Sequence, residues 1–370
     1  MVSHTPSSQL VLIPHRIDGN PYVRELGQAY HSLGRQVIFG AENLLELTIR
    51  PQLIHLHWPE ALYRWLNQDT PERQSRQFLD ALDEARRRGA KLVWTVHNVA
   101  PHEHSGSDLD AATYQSVIDR ADLIVHHCPA SVTLLESSYR VPRTTRSVVT
   151  PHGHYLSYPS GAARDVVRRE LNVPADAFVY LSFGLIRAYK GFEDLLAAFR
   201  RVRLPNKWLI VAGEYDSAAG ALRHRLMLAW TKRLSQRVRF VLKTVPPAQV
   251  QSFVNAADCV VLSHRHGLNS GVAVLGMTFG KPVVGPNLGC IEWVLRAGRN
   301  LVFEAGNRDS LVRCMESAAT LDLPAVDAAN RAVASSWTWT EMAKAVLEEL
   351  YGGSSDDPRK LQGLSSPDPF

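Results

Sequence analysis

Two groups of residues in this chain have the types and spacing to do chemistry. The first holds a cationic pair, Arg187 and Lys190, just ahead of Gly191 and a run in which Phe192, Leu195, Leu196, Phe199 and Val202 recur at helical spacing. Cations before a helix N-terminus oppose its dipole unless an anion is shared. The stretch His266 to Pro286, HGLNSGVAVLGMTFGKPVVGP, belongs to the same group. It follows the short β-branched run Asp258 to Leu262 and turns through Gly, Asn and Ser. It then reads as a helix from Val272 to Phe279, closed by Gly280 and by Pro282, which has no N–H to continue it. A strand, a glycine-bearing turn and a helix N-terminus suit a phosphate, because orphan N–H groups and the dipole point at it.

The second group lies at the ends of apolar runs in the first half: His15 to Tyr22, His57 to Glu60, His97 to His104, His126-His127 and His152 to His154. A base that takes a hydroxyl proton is expected to be a carboxylate or histidine at such a strand end. Asp18, in the loop after the opening run, is the first candidate, with Glu60 and Glu103 as alternatives. Each also has a plainer reading. Asp18-Gly19 is a turn dipeptide, Glu60 suits the start of a following helix, and Glu103 sits in a polar loop. Four His-x-His pairs, at 55/57, 102/104, 152/154 and 264/266, place two imidazoles on one strand face. Nothing supplies the remaining ligands at a predictable spacing, so no metal is expected.

These residues need a scaffold with many strand ends. From Gln9 to Thr150, short apolar runs alternate with longer periodic stretches, the pattern of βαβ units around a parallel sheet. Strands are expected at Leu10 to Ile13, Gln36 to Phe39, Leu53 to His57, Leu92 to Val96, Leu123 to His127 and Ser147 to Val149. A second series follows at Ala177 to Phe183, Trp208 to Ala212, Val238 to Leu242, Cys259 to Leu262, Pro282 to Val284 and Leu301 to Phe303. The fold expectation is therefore α/β, with two Rossmann-like domains and a cleft between them, ligands binding beyond the carboxyl ends of the strands. The expected division is an N-terminal domain over 1–155, a linker over 156–175 and a C-terminal domain over 176–336. A helix over 337–351, possibly crossing back to the first domain, and a polar, disordered tail over 352–370 complete it.

A length of 370 residues fits two domains, and 45% hydrophobic content supports ordinary cores. The net charge of +5 and pI near 9.0 come without dense basic runs, which points away from nucleic acid and toward an anionic substrate or membrane surface. There is no signal-like leader and no apolar run long enough to span a bilayer, so a cytoplasmic location is expected. Leu222 to Arg239 sets Leu222, Leu226, Trp230 and Leu234 on one face among arginines and lysines. Such a helix either packs on its own sheet with a solvated basic face or lies on an anionic membrane.

In order along the second half come Phe183-Gly-Leu-Ile-Arg187-Ala-Tyr-Lys190-Gly191-Phe, Val211-Ala-Gly213-Glu214, Gly280-Lys-Pro-Val-Val and Asn287-Leu-Gly289-Cys-Ile-Glu292. This set resembles the donor domain of GT-B glycosyltransferases over roughly residues 176 to 350. The resemblance implies that Arg187 and Lys190 hold the diphosphate of a nucleotide-sugar, that Glu214 and the turn residues His266, Asn269, Ser270 and Gly271 line the donor, and that Glu292 frames it. A leaving diphosphate needs compensating positive charge, which side chains and a helix N-terminus provide, so no metal or other cofactor is required. In the first half, Asn20-Pro-Tyr22, His55 to Glu60 and Thr95 to Glu103 resemble bacterial exopolysaccharide GT-B enzymes. Asn20, Tyr22, His97 and Asn98 are then expected at the acceptor or sugar, although His97 also reads as a structural strand-end histidine.

Retaining relatives carry two glutamates flanking the turn and helix, in a pattern like EGFGxxxLEAMAxGxPVV. Aligning Gly280-Lys-Pro-Val-Val with it puts Gly267 and Leu275 where those acids should be. The local sequence looks instead like inverting β-mannosyltransferases of xanthan-type polysaccharide assembly. That resemblance implies transfer of mannose from GDP-mannose, with inversion, to a polyprenyl-diphosphate-linked oligosaccharide, by an enzyme at the inner face of the cell membrane. A retaining GT-B transferase with another donor, or a non-catalytic sugar-nucleotide-binding protein, are the rival expectations.

Overall fold

The computed structural model describes residues 10–18, 20–66, 69–101, 107–215 and 236–352. Glu103, the 222–235 part of the basic stretch and the 353–370 tail lie outside the described residues. The chain divides into two compact units, one containing residues 10–153 with 337–352 and the other residues 154–336.

In the first unit, strands β1 (Leu10–Ile13), β2 (Gln36–Phe39), β3 (Leu53–Leu56), β4 (Lys91–Thr95), β5 (Leu123–His126) and β6 (Arg146–Val149) form one parallel sheet in the order β2-β1-β3-β4-β5-β6. The four residues of β3 and of β5 are all buried, because helices cover both faces of a parallel sheet; hence apolar runs interrupted only by His55 and His126. Strand order reverses between β1 and β3, so the loops after those strands diverge and leave a crevice at their carboxyl ends.

The second unit repeats the design. Strands β7 (Phe178–Phe183), β8 (Lys207–Ala212), β9 (Val238–Val241), β10 (Cys259–Val261), β11 (Val283–Pro286) and β12 (Leu301–Phe303) are parallel in the order β12-β11-β10-β7-β8-β9. Here the order reverses between β7 and β10. Both units are Rossmann-like α/β layers, as the alternating apolar runs predict, with strand ends within a residue or two of the expected positions.

The segment between the two expected domains is more structured than composition suggests. Residues 156–175, which read as a linker, contain the Arg164–Glu170 helix. Its Arg168 is only 1% exposed and donates to the carbonyls of Ala175, Ala177 and Ala256 and, at 2.7 Å, to Asp258 ahead of β10. The final helix, Trp339–Tyr351, is capped by Thr338, whose Oγ1 accepts from Glu341 N–H at 3.0 Å. It packs on the Pro21–Ser32 helix, and its Met342, Ala343 and Val346 are fully buried in the first unit's core with Leu26, Tyr30 and Val93.

Replacing Arg168 leaves Asp258 and three carbonyls short of donors in a dry setting. Arg168→Ala is expected to cost about 3 kcal/mol, read as a lower urea midpoint for the second unit; a loss below the error of the fit would contradict that role.

Candidate functional site

In the second unit, the loops after β7 and β10 flank the point where strand order reverses. Gly184 (φ 92°) ends β7, and a side chain on the neighbouring Gly213 (φ 149°) would come within 2.0 Å of the Gly184 carbonyl. The chain then makes a 3-10 turn, Ala188–Lys190, and enters the Phe192–Arg201 helix through Gly191 in the left-handed region (φ 61°). A methyl at Gly191 would meet the Ser263 carbonyl at 2.1 Å, so only glycine fits. Two bonds pin this turn to the loop after β10: Ser263 Oγ donates to Lys190 O at 2.7 Å, and Arg265 N–H donates to Tyr189 O at 2.8 Å.

This construction half-buries the Lys190 side chain. A side chain on Gly184 would lie 3.6 Å both from Lys190 Nζ and from Val272 Cγ2, so the ammonium and the first turn of the Gly271–Thr278 helix border the same space next to Gly184. Burial, helped by the charge of Arg187, lowers the Lys190 pKa to about 8. Among the described residues the ammonium has no carboxylate or hydrogen-bond partner. The adjacent helix is buried from Ala273 to Thr278 and has no side-chain cap: Ser270 is extended (φ −147°, ψ 108°), and its hydroxyl accepts from no helix N–H. An uncompensated cation beside an uncapped helix N-terminus is a receptor for an anion.

The other expected donor residues are distributed around this centre. Asn269, Ser270 and Gly271 are half-buried in the turn itself, and His266 is exposed with its ring 5.7 Å from that of Tyr189. Glu214, after β8, accepts from Thr244 Oγ1 at 2.6 Å. Glu292 pairs at 2.7 Å with Arg296, one turn further along the Gly289–Ala297 helix. That helix is joined to the anion turn by Cys290 N–H donating to Leu268 O at 2.9 Å. Lys190 and the turn are thus brought together, whereas Glu214 and Glu292 each have other partners.

In the first unit the three expected bases have different fates. Asp18 is open to solvent, its side chain 68% exposed, and pairs at 3.2 Å with an equally open Arg16, which lowers its pKa. Glu60 is 2% exposed and accepts from Tyr114 Oη at 2.7 Å, fixing the Pro59–Leu62 turn to the Asp108–Arg120 helix. Glu103 is outside the described residues. Asn20 caps the Pro21–Ser32 helix by accepting from Tyr22 N–H at 2.9 Å, and Asn98 is half-buried.

Tyr22 and His97 belong to an assembly that sequence reasoning did not find. His15, His55, His57, His97, His127 and His152 are all buried at or just beyond the carboxyl ends of β1, β3, β4, β5 and β6. Tyr22 packs edge-on against His97 and His152, with centroids 4.7 and 5.1 Å away, while His97 stacks on Trp58 at 4.2 Å. His127 Nδ1 lies 3.0 Å from the Thr150 carbonyl and must donate, so its Nε2 accepts from Tyr22 Oη at 3.2 Å. His57 Nδ1 lies 3.2 Å from His97 Nε2, and His57 Nε2 is buried without a hydrogen-bond partner. Donation from His57 Nδ1 leaves a bare lone pair at Nε2, a smaller cost than an unmet N–H. Trp339 closes the assembly against Tyr22 and His152. The signal was the run of strand-end histidines, but pairs two apart describe one strand, and these rings meet across neighbouring strands. Among the described residues, no three His, Cys, Asp or Glu side chains converge in a way that holds a metal.

Burial holds these imidazoles neutral: His15, His55 and His152 fall to about 3 and His127 to about 4, with His57 and His97 also well below the ordinary value. Above pH 6.5 they are neutral in folded and unfolded chains alike and give no pH dependence. Below it the unfolded chain takes up protons that the folded unit refuses. Each such imidazole therefore removes about 1 kcal/mol of stability per pH unit as pH falls toward its folded value. The urea midpoint of the first unit is expected to drop between pH 6 and 4, less steeply in His15→Gln/His55→Gln; equal slopes would contradict this.

With the geometry in view, comparison with known proteins defines the class. Residues 163–333 match the family described as glycosyl transferases group 1. The chain is a glycosyltransferase of the GT-B fold whose second unit is a group 1 domain. It is similar to a GDP-mannose:glycolipid 4-beta-D-mannosyltransferase of Xanthomonas campestris pv. campestris, 28% identical over 268 residues, which cover 72% of this chain and 70% of that protein. A D-inositol 3-phosphate glycosyltransferase of Corynebacterium diphtheriae is 26% identical over 283 residues, 71% of this chain and 65% of that one. Among solved structures, sucrose-phosphate synthase of Thermosynechococcus elongatus superposes with a TM-score of 0.73 at 18% identity, over 94% of this chain and 100% of the other. The Anabaena protein HepE in complex with UDP and glucose gives 0.72 at 17%, over 93% and 100%. These two likenesses are of fold.

Proposed function

We propose that the chain transfers mannose from GDP-mannose to a lipid-linked glycan with inversion, without a metal, at the inner face of the membrane. The observation that carries this reading is the uncompensated Lys190 ammonium beside the uncapped Gly271–Thr278 helix. A departing nucleoside diphosphate gains charge in the transition state, and a fixed cation with oriented N–H groups in a dry setting stabilises that charge. The choice of GDP-mannose and of a glycolipid acceptor is supported by similarity to the Xanthomonas mannosyltransferase. Inversion is supported by the residues of the turn and helix. Gly267 and Leu275 leave no acid there to act on the sugar from the donor side, so the base is sought in the first unit.

Of the carboxylates there, Asp18 is the proposed base. It is open to solvent in the loop after β1, and an exposed ion pair with Arg16 is a weak restraint. Glu60 is committed to Tyr114. Asp18→Asn is then expected to lower kcat at least about a hundredfold, with Glu60→Gln acting mainly on stability. Near-normal turnover in Asp18→Asn removes the assignment.

Lys190 gives a direct binding test. Lys190→Met is expected to weaken GDP at least about tenfold by calorimetry, the loss of one charge-assisted contact. In the wild type, affinity should fall as pH rises through about 8, where the free amine loses its proton. Unchanged affinity in the variant excludes the site. NMR of the product decides the stereochemistry: an α-linked product from the α-linked donor excludes inversion, and no transfer with intact GDP binding identifies a binding protein.

A further inference from the structure

A half-buried lysine without a counter-ion favours any movement that returns it to water. Nothing beside the Lys190 ammonium holds it down, and no carboxylate contributes to its electrostatics. Its turn is held instead through the backbone, by the bonds from Ser263 and Arg265 to the carbonyls of Lys190 and Tyr189. The first of these donors follows β10 directly, but Arg265 is further out, at the exposed part of the loop. Its guanidinium is tied back by Asp194, one turn into the Phe192–Arg201 helix, whose Oδ2 accepts from Arg265 Nε at 2.5 Å. Asp194 Oδ1 accepts from Arg308 Nε at the start of the Arg308–Ala318 helix, and Glu193 lies 3.7 Å from Arg265 as a weaker second partner. Asp194 is itself 9% exposed, so its two ion pairs are partly shielded from water.

We propose that Asp194 is a positioning residue for anion binding: by clamping Arg265 it keeps the loop after β10 closed over the Ala188–Lys190 turn and so keeps the half-buried Lys190 ammonium in the space beside Gly184 that the Gly271–Thr278 helix borders. A carboxylate placed beside Lys190 would also fix it but would neutralise the charge the anion needs. Set a helical turn away and acting through an arginine, the acid holds the geometry and leaves the cation available. The proposal rests on Lys190 being the anion site, and the experiment separates the two.

GDP binding is measured by calorimetry from pH 6.5 to 9.5 on the full chain, for the wild type, Asp194→Asn and Asp194→Glu. The wild-type affinity should fall with a midpoint near pH 8. Asp194→Asn should bind about fivefold or more weakly at pH 7 and shift its midpoint upward, toward an ordinary lysine, because the turn opens to solvent. Asp194→Glu should restore most of both. A lower melting temperature in Asp194→Asn with the midpoint and the pH 7 affinity unchanged overturns the proposal, since a purely structural acid would act that way. A wild type whose GDP affinity is flat across this range overturns the Lys190 reading itself.

Discussion

The second unit depends on one electrostatic constraint: a cation is kept partly out of water and is not neutralised there. Leaving an ammonium unpaired costs stability, so the surroundings must over-determine its position. They do so with residues that carry no charge toward it. Glycines at 184, 191 and 213 allow three backbones to approach closely, the Ser263 hydroxyl and an amide N–H hold the turn, and the Asp194 carboxylate works at one remove. The neighbouring helix adds a field of the same sign while remaining anchored by its apolar residues from Ala273 to Met277. The cost of leaving this cation partly desolvated would be offset by any anion that pairs with it, which ties the stability of the empty site to its affinity.

The first unit solves a different problem with a different chemistry. Six imidazoles kept neutral by burial can both donate and accept, so they bond to one another, to the Tyr22 hydroxyl and to strand-end carbonyls without bringing in a net charge, and of their nitrogens His57 Nε2 is left bare. Carboxylates in this unit are used elsewhere. Asp110 accepts from Tyr63 and Arg64, and Glu60 from Tyr114, joining the turn after β3 to the Asp108–Arg120 helix. The result is a strand-end surface rich in hydrogen-bonding edges and aromatic faces but poor in fixed charge, in contrast to the cationic centre of the second unit.

Much of the fold was legible because parallel strands buried on both faces appear as unbroken apolar runs, and Leu10–Ile13, Leu53–Leu56 and Phe178–Phe183 stand out for that reason. The turn and helix over residues 267–278 were legible from Gly280, Pro282 and the glycine-bearing segment before the helix, since these residues are demanded by backbone geometry. What the sequence did not reveal are pairings set by tertiary contact. The burial of Lys190 depends on Ser263, and Glu60 meets a tyrosine more than fifty positions away. The imidazole assembly draws on five strand ends, and a periodicity within one strand carries no information about its neighbours. The Arg164–Glu170 helix was hidden for a related reason: Arg168 looks like a surface residue until its carbonyl partners are known.

The placement of the last helix has a consequence for how the chain is made. Met342, Ala343 and Val346 fill the same core as Val11 and Ile13, so contacts within one hydrophobic core span nearly the whole polypeptide. Such separation is slow to close during folding and is unavailable to a chain still emerging from the ribosome. Nascent chains therefore expose the apolar side of the Pro21–Ser32 helix and the edge of the imidazole assembly until the Trp339–Tyr351 helix has been made, whereas the second unit has all of its described strands by Phe303.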